Sequence, residues 1–114
     1  MIAVLLQSAV LQGQGFASAL RFLEHCVAQG EQVDSVFLYR DAVLAVSSAI
    51  DLPSDEPDLA ALLRQCCAQQ QIPLLYCVTA AEKRGVTQVA EPCIAAGLAE
   101  FAMRLSQVKQ LVQF

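Results

Sequence analysis

Four short apolar runs, each about the length of a β-strand, divide this chain and limit the folds open to it. They are IAVLL from Ile2, VDSVFLY from Val33, IPLLYCV from Ile72 and VKQLVQF at the end of the sequence. Their hydrophobicity is continuous rather than alternating, which is typical of strands covered on both faces. Segments with helical periodicity separate the runs, so strands and helices alternate. That order favours a parallel sheet with right-handed crossovers.

The helical segments each carry an apolar face, which we expect to contribute to the core. The faces consist of Phe16, Leu20, Leu23 and Val27, then Leu59, Leu62, Leu63 and Cys66, then Leu98, Phe101, Ala102 and Leu105. Gly30 is placed to end the first helix, and Ser54 or Asp55 ahead of Pro57 to cap the second. The sequence therefore predicts a small open α/β sheet, mainly parallel, with four or five strands and helices on both faces. A length of 114 residues suits one domain over residues 1–114.

Composition and charge narrow the possible partners. Hydrophobic residues make up 56% of the chain and charged residues 16%, which indicates a globular protein with surplus apolar surface for an oligomeric or other protein partner. The net charge is -4 and the basic residues are scattered, so we expect no tight binding of nucleic acid. The apolar N-terminus lacks the basic region of a signal peptide and is too short for a membrane span. We therefore expect a cytoplasmic protein that does not enter the membrane.

The cysteines are five in number and show no C-x-x-C spacing, which argues for free thiols rather than a disulfide framework. With one histidine in the chain, a zinc site is poorly supported, and neither a metal nor an organic cofactor is expected. Cys26 and Cys66 lie on apolar helix faces and are expected in the core, whereas Cys67 should point elsewhere. Cys93 follows a proline and is a candidate resolving thiol. His25 lies opposite the apolar face and is expected to be solvated.

Cys77 lies where the third apolar run gives way to a helix start. Thr79-Ala80-Ala81-Glu82 has the T-x-x-E spacing of a capping box, and Gly85 is placed to end the helix after little more than one turn. Unpaired amides at a helix N-terminus, with Lys83 and Arg84 nearby, favour a thiolate, which is the nucleophilic form of cysteine. The same amides suit the terminal sulfur of a persulfide. The alternative is that Cys77 is an ordinary buried strand residue.

A turn with two glycines, Gly13-Gln14-Gly15, follows the first strand and begins like a dinucleotide-binding fingerprint. The third glycine is missing, and the acid about 20 residues on, Asp34, opens the second strand instead of ending it. Nucleotide binding is thus a weak alternative to a loop whose glycines turn the chain into the helix.

Several segments together resemble a known family. CVTAAEKRG, from Cys77, is similar to the C-V-A-A-A-x-R-R-G signature of the DsrE and TusD sulfurtransferase subunits. In the same order along the chain, SVFLYRDAV from Ser35 resembles their S-V-F-F-Y-R-E-G-V and PSDEPDLAALLRQ from Pro53 resembles P-x-S-D-E-x-D-L with its helix. The closing LVQF is similar to their V-V-x-F, so the resemblance covers nearly the whole chain.

The resemblance implies a Rossmann-like sheet and a role in sulfur relay. Cys77 would accept sulfane sulfur as a persulfide and pass it to a partner protein thiol, with the amides of Val78, Thr79, Ala80 and Ala81 stabilising the charge. Lys83 and Arg84 would steer an acidic partner, and Tyr39 and Arg40 would shape the pocket or cap the strand. Partners would be homologous subunits, in a homo- or hetero-oligomer, and proteins that donate and accept sulfur. The final product would be 2-thiouridine at the tRNA wobble position or, in the other branch, an oxidised sulfur compound. The main alternative is a non-catalytic interaction subunit of such a complex.

Overall fold

The computed structural model describes residues 1–48 and 58–114. The elements follow in chain order: β1 (Ile2–Leu6), α1 (Gly15–Ala28), β2 (Val33–Leu38), a 3₁₀ helix (Arg40–Val46), α2 (Leu59–Gln69), β3 (Leu74–Cys77), α3 (Val78–Lys83), β4 (Ile94–Ala96), α4 (Leu98–Arg104), a second 3₁₀ helix (Leu105–Gln107) and β5 (Gln110–Gln113). The alternation of strands and helices predicted from the apolar runs is confirmed.

The strands form one five-stranded sheet in the order β4-β3-β2-β1-β5, and all the pairings are parallel. In the pairing registers, Leu5 lies opposite Phe37, Leu38 opposite Tyr76, and Cys77 opposite Ala96. The predicted parallel α/β sheet is therefore confirmed. The strand β4 was not among the apolar runs because it is only three residues long and two of its residues are exposed.

The central strands lie in the core, whereas the two edge strands, β4 and β5, are mostly exposed. All residues of β3 are buried, as are four of the five in β1 and the last four in β2, which agrees with continuous apolar runs. The last run behaves differently, since three of the four residues of β5 are exposed. The expectation of burial on both faces is wrong for β5 because it lies at the edge of the sheet.

The buried faces of α1 and α2 are rotated from the predicted ones. The buried residues are Phe16, Ala19, Leu23 and Cys26 in α1, and Ala60, Leu63 and Cys67 in α2. Leu62 is 44% exposed, and it lines a groove between the two helices together with Leu20, Val27 and Cys66. The core-facing surface of these helices therefore includes small side chains beside Phe16, Leu23 and Leu63, while Leu20, Val27, Leu62 and Cys66 lie where the helices meet. The assignment of Cys66 to the core and Cys67 to another face is wrong for this reason.

The predicted face of α4 is also only partly buried. Phe101 is buried and its ring stacks on that of Phe37, with centroids 4.5 Å apart and planes 9° from parallel. Leu105 is half-buried, but Ala102 is exposed and Leu98 is 47% exposed. One aromatic contact and the ion pair between Arg104 and Asp34 hold this helix against the sheet.

Helix α2 is capped by Asp58, whose carboxylate accepts a hydrogen bond of 3.0 Å from the Ala61 N–H. The expected capping residues Ser54 and Asp55, with Pro57 and the rest of the acidic stretch before Asp58, lie outside the described residues. Because Asp58 is the N-cap, the expectation that Ser54 or Asp55 caps this helix is wrong.

Three helices end in the same way. At Gly30, Gly85 and Gln71 the chain takes a left-handed conformation, with φ of 74°, 71° and 57° respectively. In each case the next residue donates to the carbonyl five positions back, as Glu31 does to Cys26, Val86 to Ala81 and Ile72 to Cys67. These are Schellman motifs, which favour glycine at the left-handed position. The assignments of Gly30 and Gly85 as helix terminators are confirmed.

Gln71 is the exception, because its side chain strains a conformation that glycine adopts freely. We expect Gln71→Gly to raise the free energy of unfolding by about 0.5 to 1 kcal/mol, since relief of strain outweighs the added entropy of the unfolded chain. Urea unfolding followed by circular dichroism measures the change. Gly30→Ala is the matched control and should lower stability by a similar amount. Loss of stability in Gln71→Gly would contradict the assignment.

Candidate functional site

Cys77 ends the buried strand β3 and is the N-cap residue of α3. Its backbone is extended, with φ of -72° and ψ of 113°, and the residue is 5% exposed. Strand and helix follow each other without a loop, because Leu-Leu-Tyr suits a buried strand and the following Thr-Ala-Ala-Glu-Lys suits a helix. The predicted position of Cys77, at the carboxyl end of a strand and just outside a short helix, is confirmed.

The predicted capping box is wrong. Helix α3 starts at Val78, so Thr79 lies inside its first turn, and no side chain caps the helix. With Cys77 as N-cap, the amides of Val78, Thr79 and Ala80 have no intrahelical carbonyl to bond, and Ala81 supplies the first amide in register with the carbonyl of Cys77. The T-x-x-E spacing misplaced the helix start by two residues because the strand continues directly into the helix.

A cleft of about 410 Å³ lies over Cys77 at the carboxyl edge of the sheet. Its lining consists of Tyr39, Arg40, Cys77, Thr79, Ala80, Lys83, Arg84 and Leu98. The structure therefore brings most of the predicted site residues to one place. The side chains of Val78 and Ala81 do not line the cleft. Val78 is 37% exposed outside it, and Ala81 is buried. Sequence reasoning missed Leu98 because its helical periodicity pointed to the core.

The pairing of β2 with β3 explains why Tyr39 and Arg40 lie beside Cys77. Leu38 lies opposite Tyr76, so the residues that follow the two strands emerge side by side. The Tyr39 N–H donates to the Leu6 carbonyl at 2.9 Å, which fixes the strand end. Arg40 then has a φ of 52°, and its guanidinium carbon lies 5.8 Å from the centre of the Tyr39 ring.

Arg84 and Lys83 are adjacent in sequence but differ in their contacts. The Arg84 Nε lies 2.9 Å from Asp41 Oδ1, and its Nη1 donates to the Ala80 carbonyl at 3.1 Å. The first contact joins α3 to the 3₁₀ helix Arg40–Val46. Lys83 has no carboxylate within ion-pair distance in residues 1–48 and 58–114. Asp41 was not singled out from the sequence, although an acid directly after Arg40 was a usable signal.

The other cysteines lie away from the cleft. Burial raises the pKa of Cys67 to about 12, and it raises the pKa of Cys93 to about 11 although the Arg64 charge opposes the effect. Burial, with Glu31 and Glu24 respectively, also raises the pKa of Cys26 and Cys66. Cys93 lies close enough to Cys67 and Arg64 to be affected by their charges, and it is not in the lining of the cleft over Cys77. His25 is exposed, as expected.

The glycine-containing turn before α1 has explanations in packing. Gly13 has a φ of 71°, and a side chain at Gly15 would collide with the Ser8 hydroxyl. Asp34, the acid nearest the spacing of the fingerprint, forms an ion pair in which its Oδ2 lies 3.1 Å from Arg104 Nε. These contacts agree with the interpretation of the glycines as a turn into the helix.

Residues 1–48 and 58–114 contain no group of three His, Cys, Asp or Glu side chains arranged to hold a metal ion. In the same ranges, no helix is both long enough and apolar enough to cross a membrane.

Comparison with known proteins gives consistent matches. The profile of the DsrE/DsrF-like family matches residues 2–114. A protein named Sulfurtransferase TusD from Erwinia tasmaniensis is 39% identical over 98 residues, which are 86% of this chain and 74% of that protein. A Sulfurtransferase TusD from Pectobacterium carotovorum is 30% identical over 114 residues, with 89% and 88% of the two chains covered. Among solved structures, the YchN protein from E. coli superposes with a TM-score of 0.86 at 21% identity, over 99% of this chain and 97% of that one, and shows the same fold.

The start of α3 gives a test by substitution. We expect Thr79→Ala to change the free energy of unfolding by less than about 0.5 kcal/mol, because the Thr79 hydroxyl caps nothing. Asp58→Ala, which removes a real N-cap, should cost about 1 kcal/mol. Urea titrations of both variants make the comparison. A larger loss of unfolding free energy in Thr79→Ala than in Asp58→Ala would show that Thr79 does cap the helix.

The buried thiols predict how stability depends on pH. Unfolded cysteines lose their protons near pH ~8.5, whereas the raised pKa values of Cys67 and Cys93 keep these thiols protonated in the fold. Above that pH the folded state binds more protons than the unfolded state, so stability falls as the pH rises, by up to about 1.4 kcal/mol per pH unit for one thiol.

The measurement is the urea midpoint between about pH 8 and pH 10, where unfolded thiols titrate. Cys67→Val should show a smaller fall than the wild type because one buried thiol has been removed. Leu63→Val, a substitution on the same buried face of α2 that leaves every thiol in place, should keep the wild-type slope. Equal slopes in Cys67→Val and the wild type would contradict the assignment of the fall to Cys67.

Proposed function

The chain belongs to the DsrE/DsrF-like family, and we propose that it is a sulfurtransferase subunit of a sulfur relay that carries sulfane sulfur as a persulfide on Cys77. The observation that supports this most directly is the position of Cys77. It is the one cysteine in the lining of the cleft at the carboxyl edge of the described sheet, where ligands of open parallel sheets bind. The relatives named Sulfurtransferase TusD support the same class of activity.

The transfer is a thiol exchange in two balanced steps. The Cys77 thiolate attacks the outer sulfur of a donor persulfide, R–S–SH, so that a new sulfur–sulfur bond forms on Cys77 and the donor leaves as the thiolate RS⁻. A thiolate of the acceptor protein then attacks the outer sulfur on Cys77. The Cys77 thiolate is the leaving group of this second step and is regenerated for the next cycle.

The surroundings of Cys77 suit an anionic sulfur. The amides of Val78, Thr79 and Ala80, which α3 leaves without an intrahelical partner, are proposed to stabilise the outer sulfur of the persulfide. The Ala81 amide, which was also expected to contribute, is in register with the Cys77 carbonyl inside the helix. Oriented amides and a helix N-terminus favour negative charge. Cys77 itself is 5% exposed, so its own sulfur is largely shielded from water.

The charged residues of the cleft are proposed to act on the partner protein. Lys83 and Arg84 attract an acidic surface, although Arg84 shares its charge with Asp41 and so contributes less. Tyr39 and Arg40 shape the pocket wall opposite α3. The ion pair between Asp41 and Arg84 connects the 3₁₀ helix after β2 to the end of α3. It therefore stabilises the relative position of the two walls of the cleft.

The partners that follow from this role are sulfur donor and acceptor proteins and homologous subunits of the relay. We place the chain in the cytoplasm, where a reducing environment keeps thiols free. The two TusD relatives favour 2-thiouridine at the tRNA wobble position as the final product over an oxidised sulfur compound. The amount of apolar surface agrees with an oligomer of related subunits, as Met103 is 75% exposed and Leu11 62% exposed.

Incubation with a cysteine desulfurase and cysteine tests the proposal. We expect the tryptic peptide 65–83, which contains Cys66, Cys67 and Cys77, to gain the mass of one sulfur atom and to lose it on reduction. Fragmentation of the peptide should assign the sulfur to Cys77, and Cys77→Ser should show no gain. Cys66→Ser and Cys93→Ser are the matched controls and should still be loaded, since both cysteines lie outside the cleft. Sulfur on other cysteines, with none on Cys77, would support a non-catalytic interaction subunit.

A further inference from the structure

The mouth of the cleft over Cys77 carries charge and apolar surface on different sides. We propose that this mouth binds a protein segment whose thiol is flanked by an acidic side chain and by an apolar one. This inference rests on the proposed function. The acidic side chain meets Arg40 and Lys83, and the apolar one meets Leu98. The proposal thus defines the partner by the residues around its thiol.

The cationic part of the mouth consists of Arg40 and Lys83, both of which line the cleft and are exposed. In the two described ranges neither has a carboxylate within ion-pair distance, whereas Arg84 is paired with Asp41. Two cations are therefore available for an incoming anion in a chain whose net charge is -4. Such a local reversal of charge steers an acidic group to this edge of the protein.

Arg40 is held in place for this contact. Its φ of 52° lies in the left-handed region, which costs a non-glycine residue about 1 to 2 kcal/mol. The backbone on both sides is fixed, because Tyr39 donates to the Leu6 carbonyl and Ala42 donates to the Tyr39 carbonyl. The guanidinium rests near the Tyr39 ring. A restrained cation loses less entropy when it binds a carboxylate than a freely rotating one.

The apolar part of the mouth is Leu98, which is 47% exposed. Ala96 of β4 pairs with Cys77 of β3, so Leu98, two residues after Ala96, follows its strand at the same edge as Cys77. Leu98 also lines the cleft itself. An apolar side chain placed here would remove surface from water at a gain of about 25 cal/mol per Å².

A small sulfur anion would satisfy only part of this arrangement. It would meet the cations but leave Leu98 in water, and it would fill little of a cleft of about 410 Å³. A protein segment with an acid and an apolar residue around its thiol meets both parts at once. The geometry therefore favours a macromolecular partner over a free anion.

The test uses the full chain and a thiol–disulfide exchange that needs no sulfur donor. Short peptides carry one cysteine as a mixed disulfide with thionitrobenzoate. The Cys77 thiolate attacks the peptide sulfur, forms a protein–peptide disulfide and releases coloured thionitrobenzoate, so bonds and charge balance. Mass spectrometry assigns the adduct to Cys77. One peptide has aspartate and leucine beside cysteine, a second has lysine and leucine, and a third has aspartate and serine.

We expect the aspartate–leucine peptide to react at least about ten-fold faster than the lysine–leucine peptide at low ionic strength, with the difference shrinking as salt is added. Rates are divided by those of each variant with an uncharged small disulfide. Arg40→Gln and Lys83→Gln should each reduce the preference for aspartate, and Leu98→Ser should reduce the preference for leucine over serine. Lys109→Gln is the charge-matched control, because Lys109 pairs with Glu31 and precedes β5 at the opposite edge of the sheet, and it should keep both preferences.

Equal rates for the three peptides, or a preference that survives Arg40→Gln combined with Lys83→Gln, would overturn the docking proposal. Faster reaction of a small anionic disulfide than of every peptide would identify a free anion as the ligand instead. Neither result depends on whether Cys77 carries sulfur, so a failure of persulfide loading remains distinguishable from a failure of docking.

Discussion

The parallel pairing of β2 with β3 is the constraint on which the rest of the site depends. Because Leu38 lies opposite Tyr76, the ends of both strands arrive at one edge, with Tyr39 and Arg40 on one side and Cys77 on the other. A shift of one residue would send every side chain of the strand to the opposite face and would bury the wrong ones. The apolar core that fixes this register therefore also places Cys77.

The cleft joins elements that are far apart in the sequence. The Asp41–Arg84 ion pair connects the 3₁₀ helix after β2 to the end of α3, and so holds the wall that carries Arg40 against the wall that carries Lys83. On the other side, the ring of Phe37 stacks on both Phe101 and Tyr39, at centroid distances of 4.5 and 6.0 Å. Packing of α4 is thereby connected to the cleft, into which the first residue of that helix, Leu98, also reaches.

The division of roles among the basic residues follows from these contacts. Three cations line the cleft, but Arg84 is satisfied by Asp41 and by the Ala80 carbonyl. It acts mainly on the structure of the site, whereas Arg40 and Lys83 present their charge outward. The sequence KRG suggested equal roles for Lys83 and Arg84, and only the position of Asp41 separates them.

Local signals in the sequence determined the order of strands and helices, the helix ends at Gly30 and Gly85, the position of Cys77, and the family. These features depend on apolar runs and on glycine at left-handed positions, which act over a few residues. Tertiary structure alone decided which helix faces are buried, where α3 begins, and which cations are paired. The choice between Cys66 and Cys67 for the core depends on how close α2 lies to the sheet, and the start of α3 depends on how far β3 pairs with its neighbours. Both are set by contacts between residues distant in sequence, because burial and pairing compete with local preference and outweigh it.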